Sequence, residues 1–483
     1  MEIKRACFIT MGTCVLSFQA MAASIVIQNN DGANEGFNDP NAPFHPNQKG
    51  NNAGTTLGEM RLNVFQAAAD RWGELLNSDV TITINAEFNA LFCSQFSGAL
   101  GFAGANSSAH NFGAGLADTA YPIALAESLK DADINGGSVE IDATFNSEVD
   151  TGAVSCLGGG GFYYGLDDNA PVGTSPLFPV VLHELAHGLG FVSLTDVGTG
   201  GTGSFTGSGG LPDTFSRNLQ DLETGKLWDA MSNEERLASA VNDPDLVWNG
   251  ARVTADRAKF LDSATELVIN APAGIAGTHE TALGEEPTIV IPEGGVTAAM
   301  VDGDALEDSC IQFDSPEMAG KIILFDLPGT CTAVFPALFS QFENALGVII
   351  ANTAAEGLPD MSGQISNQDV TIPYVGVTMA VGSDLRTNIA SANVTIRRSP
   401  TVLMGENQGQ VRMHAPAVFE GGSSVSHWTA QAQPDLLMKP VLGQLVFEEV
   451  DLTLSAFKDI GWSVNFPEVD PGLIFEDGFE DQP

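Results

Sequence analysis

The sequence predicts an α+β protein in which a sheet-and-helix region is interrupted by a small α/β unit and then resumes. Three observations predict it. Residues 56–76 carry apolar side chains at helical spacing, and the runs 80–85 and 139–145 alternate as strands. From about residue 270 to 398 the pattern changes to short β-runs in strand–helix–strand order, which implies a small sheet with helical cover. After about residue 401 the character of the first region returns. At 483 residues the chain has room for two or three domains.

Taken in order, the chain opens on a secretory signal over residues 1–23. Lys4 and Arg5 form a positive start, an apolar run continues to Phe18, and Ala20-Met-Ala22-Ala23 supplies small residues for cleavage after Ala22 or Ala23. The apolar run is shorter than the ~20 residues that span a bilayer. No later run is long enough either, so no membrane span is expected after signal removal, and the protein is expected to be secreted. Residues 24–269 form the first region. A short strand is expected at 24–28, then irregular Asn-, Asp-, Gly- and Pro-rich chain to residue 50. Leu57, Met60, Val64, Ala68, Trp72 and Leu75 define the apolar stripe of the following helix. A glycine turn at 158–161 leads to Phe162-Tyr163-Tyr164. Pro176 and Pro179 precede a compact apolar helix at 180–189 that ends at Gly188 or Gly190. A second glycine-rich loop spans 198–210, and 213–262 reads as mostly helical and polar. The unit at 270–398 holds strands at 321–326, 347–352 and 372–377 and an amphipathic helix at 337–346. Residues 399–466 resume the first region and include a helix at 452–460. Residues 467–483 form an acidic tail.

The charge excludes whole classes of function. There are 61 Asp+Glu against 19 Lys+Arg, a net charge of −42. Such a chain cannot neutralise phosphates, so nucleic-acid binding is excluded, and it has no basic patch for an anionic membrane. With 43% hydrophobic residues and 28 Phe it still fills a core. Four cysteines remain after signal removal: Cys93, Cys156, Cys310 and Cys331. An even number in an exported chain suggests two disulfides. Of the three possible pairings, Cys93 with Cys156 and Cys310 with Cys331 keeps each bridge within one region.

The chemistry lies in His183-Glu184-Leu185-Ala186-His187. On a helix, i and i+4 share one face, so both imidazoles reach a single Zn²⁺ at ~2.0–2.1 Å. Glu184 then lies close enough to take a proton from a water that the metal has acidified. With 7 histidines in 483 residues, a chance match is expected in about one such chain in two hundred. A catalytic zinc needs a third protein ligand. The pattern continues to Gly190, but Ser193 stands where the compact form H-E-x-x-H-x-x-G-x-x-H has its last histidine. The residues alone leave His45, His110, His279, His414 and His427 open for this role, with many carboxylates, Asp213, Glu223 and Asp229 among them.

The later segment Gly421-Gly-Ser-Ser-Val-Ser-His427-Trp428, with Leu437-Met438 after it, resembles the third-ligand region and Met-turn of the leishmanolysin family of metzincins. The resemblance implies a metzincin-like zincin domain with a twisted sheet and an active-site helix. It implies one catalytic Zn²⁺ held by His183, His187 and His427, with Glu184 as general base. Met438 would lie under the metal, and Gly190 would let the chain turn away. The specific part covers about 183–192 and 409–462. The 240 residues between His187 and His427 are filled largely by 270–398, which resemble a protease-associated (PA) domain: Asp308-Ser-Cys310, Gly320-Lys-Ile-Ile-Leu-Phe325, Cys331, Gly347-Val-Ile-Ile350 and Ile372-Pro-Tyr-Val375. In peptidases that module is an accessory thought to cover or gate a substrate site. The implied function is a secreted zinc metalloendopeptidase acting on proteins or peptides.

The alternative is a non-catalytic extracellular binding protein that uses the PA domain and keeps a structural or decayed zinc site. Other residues carry less. Asp167-Asp168-Asn169, Asp302-Gly-Asp304 and Glu476-Asp-Gly478 could hold Ca²⁺, but none fits the loop D-x-[DN]-x-[DN]-G, and solvated turns are the better expectation. Tyr163 and Tyr164 are expected in the core rather than on a substrate edge, and Trp428 is expected to pack.

Overall fold

The computed structural model describes residues 22–284, 288–354, 357–359, 361, 369–441 and 450–467. The bulk of the expected signal peptide, nearly all of the acidic tail and Glu476-Asp-Gly478 lie outside these residues. The chain divides into two units. One runs to Asp256 and takes in Val411–Ala430 and the chain from Asp435; the other comprises Arg257–Gln410 and Gln431–Pro434.

The first unit is built on strand β1 (Ile25–Asn29), helix α1 (Leu57–Leu75), strands β2 (Ile82–Asn89) and β3 (Gly101–Ala105), helix α2 (Ile123–Lys130), strand β4 (Ile141–Asn146) and helix α3 (Leu177–Leu189). Thr56 starts α1 with a capping box, accepting the Glu59 N–H at 3.2 Å while the Glu59 carboxylate accepts from the Thr56 N–H. The sheet order is β1-β2-β4-β3; β1, β2 and β4 run parallel, and β3 is antiparallel on the edge. Phe65 of α1 meets Phe145 of β4 edge-on at 4.7 Å, and such buried rings contribute about 1.5–3 kcal/mol each. The Trp72 indole N–H donates to the Leu182 carbonyl at 3.0 Å, which ties α1 to α3. Gly188 permits a close approach of α3 to the sheet, since a Cβ there would stand 2.5 Å from Ile141. Helix Asp451–Ile460 completes the core, with Phe457 against Trp72 at 4.9 Å and Trp462 donating to the Leu189 carbonyl.

Residues 213–262 differ from the helical expectation. They form short strands at Leu219–Asp221, Lys226–Leu227 and Leu246–Trp248 and short helices at Asn233–Ser239 and Ala251–Asp256. Leu246-Val-Trp248 is fully buried and pairs on both sides, with 219–221 and with Val411 and Arg412. Pairing decided its state, and the polar residues around it are turn and edge positions rather than a helix face.

The second unit contains β5 (Ser263–Ala271), β6 (Gly277–Glu280), β7 (Ala282–Leu283), β8 (Val296–Asp302), β9 (Ile322–Asp326), α4 (Val334–Phe342), β10 (Gly347–Ala351), β11 (Tyr374–Val377), α5 (Met379–Thr387) and β12 (Asn393–Leu403). Its sheet order is β6-β5-β12-β8-β9-β10-β11-β7, with β8 to β11 parallel. Helix α4 covers one face with Val334, Ala337 and Leu338, and α5 the other with Leu385. β10 is buried throughout, as a strand between two helical layers requires. The unit is wider than the expected 270–398, because β5 and β12 pair along most of their length and draw both flanks in.

The disulfides are Cys93–Cys156 in the first unit and Cys310–Cys331 in the second, the local pairing. Among the described residues no helix is long and apolar enough to cross a membrane.

Candidate metal centre

Helix α3 carries His183, Glu184 and His187. Its apolar positions, Val180 to Leu182, Leu185, Ala186 and Leu189, are buried and fix its rotation. The two imidazoles sit one turn apart, ring centroids 4.9 Å from each other. The helix stops at Gly190, whose φ of +121° is open to glycine. A Cβ there would press on Ile460 and Pro122 at 3.1 and 3.2 Å. The turn brings the Phe191 carbonyl back to His187 Nδ1 at 2.7 Å.

His427 arrives 240 residues later and completes a cluster. Its Nε2 lies 3.1 Å from His183 Nε2 and 3.2 Å from His187 Nε2. All three residues are buried, at 6%, 8% and 4% exposure for His183, His187 and His427. Each ring is oriented by a backbone carbonyl: Leu437 O for His183 at 2.6 Å, Phe191 O for His187, and Ser423 O for His427 at 2.8 Å. A carbonyl only accepts, so each Nδ1 carries the hydrogen and each Nε2 presents a lone pair. Three lone pairs thus face one another, with no donor between them. Burial, with the neighbouring imidazoles, pushes His183 down to about 3 and His427 well below its ordinary value; burial alone pushes His187 to about 4. At neutral pH the three Nε2 atoms therefore stand unprotonated, the state in which they could hold a cation. The nitrogen separations approach the edge of about 3.3 Å that a tetrahedral site with ~2.0–2.1 Å Zn–N bonds has. The residues fit zinc, and the carbonyl partners are the usual outer support of such ligands.

Glu184 points towards the sheet edge, where its Oε2 accepts the Ala103 N–H of β3 at 3.2 Å. Burial raises its carboxyl to about 7, with the Ala103 N–H pulling the other way. A cation at the three nitrogens opposes that rise. Among the described residues no strand pairs the outer edge of β3. Sequence reading missed β3 because Gly101-Phe-Ala-Gly-Ala105 has no β-branched residue; the glycine–aromatic run before the 139–145 strand was the available signal.

Met438 is fully buried, and its carbonyl accepts the Trp428 N–H at 2.8 Å. Trp428 packs edge-on against Phe191 at 5.1 Å and Trp248 at 5.7 Å.

Residues 295–385 match the PA domain family. The PA domain spans β8 to α5, the parallel core of the second unit, while β5 and β12 lie outside the matched stretch. No curated protein matches the chain. Solved structures similar to it include a zinc aminopeptidase from Bacillus subtilis, 22% identical over 30% of this chain and 36% of that one, with a TM-score of 0.22. A peptidase M28 precursor from Shewanella amazonensis is 14% identical over 38% and 44%, at 0.23. A subtilisin-like protease from a Pseudoalteromonas species is 19% identical over 29% and 34%, at 0.21. The chain spans less than half the length of each, and likeness at these scores carries no argument about the site.

Inside the PA domain, Asp302 and Asp304 do not form a cation site of their own. Both face Arg386, at 3.3 and 2.8 Å, and Asp326 joins them at 2.7 Å, so a guanidinium sits among the carboxylates. In the first unit Asp167 accepts from the Tyr163 hydroxyl and Asp150 from that of Tyr164; both rings are core residues. None of the rival ligands belongs to the cluster, although the His414 N–H donates to the His427 carbonyl at 2.8 Å. His414 contacts Glu420 at 2.9 Å, Asp213 accepts from Leu194 and Ser216, Asp229 pairs with Arg217 at 2.6 Å, and Glu223 accepts from Asn242.

Proposed function

We propose that the chain is a secreted zinc metalloendopeptidase of metzincin type, with a leishmanolysin-like ligand set and an inserted PA domain. The observation that carries this reading is the meeting of three buried Nε2 lone pairs, two of them from the helix that also carries Glu184. His183, His187 and His427 hold one metal ion through Nε2. Bound zinc supplies Lewis-acid activation of water and of the scissile carbonyl. Glu184 takes the proton from the attacking water and passes it to the leaving amine. The edge of β3, which no strand pairs among the described residues and whose Ala103 N–H meets Glu184, suits an extended polypeptide, which can add to it as a strand with its carbonyl near Glu184. The accessory PA domain accords with polypeptide substrates, and the two disulfides accord with export.

Casein hydrolysis by the mature protein is expected to stop with 1,10-phenanthroline and to return on adding zinc. Internal cleavage of a peptide blocked at its N-terminus is expected as well. Chelator-resistant hydrolysis, or none with zinc bound, would remove the metallopeptidase assignment, and removal of N-terminal residues alone would remove the endopeptidase one.

A further inference from the structure

Leu437 reaches one of the three histidines, and Met438 reaches the residue that follows another. The Leu437 carbonyl accepts from His183 Nδ1 at 2.6 Å, and the Met438 carbonyl accepts the N–H of Trp428, the residue after His427. A displacement of this dipeptide therefore moves the His183 ring and disturbs the backbone next to His427. What anchors it lies 14 residues on: the Leu437 N–H donates to Asp451 Oδ2 at 2.5 Å. The other oxygen, Oδ1, accepts the N–H and the hydroxyl of Thr453, each at 2.9 Å. Both Thr453 donors fall on Oδ1, and Oδ2 is the oxygen that meets Leu437. The carboxylate stands at the first residue of helix Asp451–Ile460, which buries Leu452, Leu454, Phe457 and Ile460 and does not shift without disturbing the core. Oδ1 serves the helix start, whereas the bond through Oδ2 goes to a residue outside the helix.

We infer that Asp451 is a positioning residue of the metal centre. It fixes the Leu437 backbone, which fixes the Nδ1 side of His183, so that His183 Nε2 meets the nitrogens of His187 and His427. The inference rests on the zinc-peptidase reading.

Zinc affinity is measured on the mature full chain by competition with a chromophoric chelator, for wild type and for Asp451→Ala, Asp451→Asn and Thr453→Val. Asp451→Ala is expected to raise the zinc Kd about 10- to 100-fold, the usual effect of losing an outer support of a ligand. Asp451→Asn keeps one oxygen and is expected to raise it less; it carries the test if the alanine variant does not fold. Thr453→Val weakens the helix start but keeps the Leu437 bond, so its Kd is expected to stay at the wild-type value while its melting temperature falls. In the cobalt-substituted protein, the visible absorption bands are expected to move in the Asp451 variants and not in Thr453→Val. A lower melting temperature with unchanged Kd and unchanged cobalt bands in the Asp451 variants would reduce Asp451 to a helix cap and overturn the inference alone. A wild-type chain that binds no zinc would overturn the metallopeptidase reading and this inference with it.

Discussion

Replacing Glu184 with Gln is expected to lower kcat/KM on protein substrates by about 10²–10⁴-fold, the usual contribution of a general acid–base group. Zinc is expected to stay bound at one ion per chain. The amide keeps the size of the carboxylate and an oxygen for the Ala103 N–H, so neither α3 nor the edge strand has reason to move. What it loses is the capacity to take a proton. None of the three histidines replaces it: each Nδ1–H is committed to a carbonyl, and in the proposed mechanism each Nε2 is committed to the metal. Metal analysis alongside initial rates makes the check. A Gln variant as active as wild type would remove Glu184 from the mechanism.

The second large effect is expected from His427→Ala. It leaves two imidazoles on one face of α3, so the metal loses a third of its protein ligands. Zinc affinity is expected to fall by more than the 10- to 100-fold typical of outer supports, and proteolysis with it. The matched control is His414→Ala. That ring lies 13 residues earlier, and its Nε2 meets Glu420 rather than the cluster. It is expected to keep zinc and activity. Retained stoichiometric zinc in His427→Ala, with loss in His414→Ala, would exchange their roles. Equilibrium dialysis reads both.

What could be read in the sequence followed the range of the interactions. Helix α3 and the shared face of His183 and His187 follow from local periodicity, and the turn at Gly190 from a residue that alone adopts its φ without strain. The spacing of the cysteines made local bridges the natural choice. The partnership of His427 with α3 could not come from spacing, because chain closure over 240 residues leaves no periodic trace; only the resemblance of its Ser-His-Trp context pointed there. β3 was invisible because its strand state is imposed by pairing with β4 rather than by its own glycines and alanines. The stretch 246–248 was misread for the same reason, its state depending on two distant partners. The backbone carbonyls that orient the three rings belong to residues of no distinctive type, so nothing in their side chains announces them. Asp451 stands one residue before the helix expected at 452–460, and its reach to Leu437 depends on tertiary placement.

The most direct test is X-ray absorption at the zinc edge on the purified mature protein. It is expected to give three imidazole nitrogens and one lighter scatterer at ~2.0–2.1 Å, with one zinc per chain. The same measurement on His427→Ala is expected to lose the signal or a nitrogen. A sulfur shell near ~2.3 Å, two imidazoles only, or no zinc at all would contradict a metal held by His183, His187 and His427.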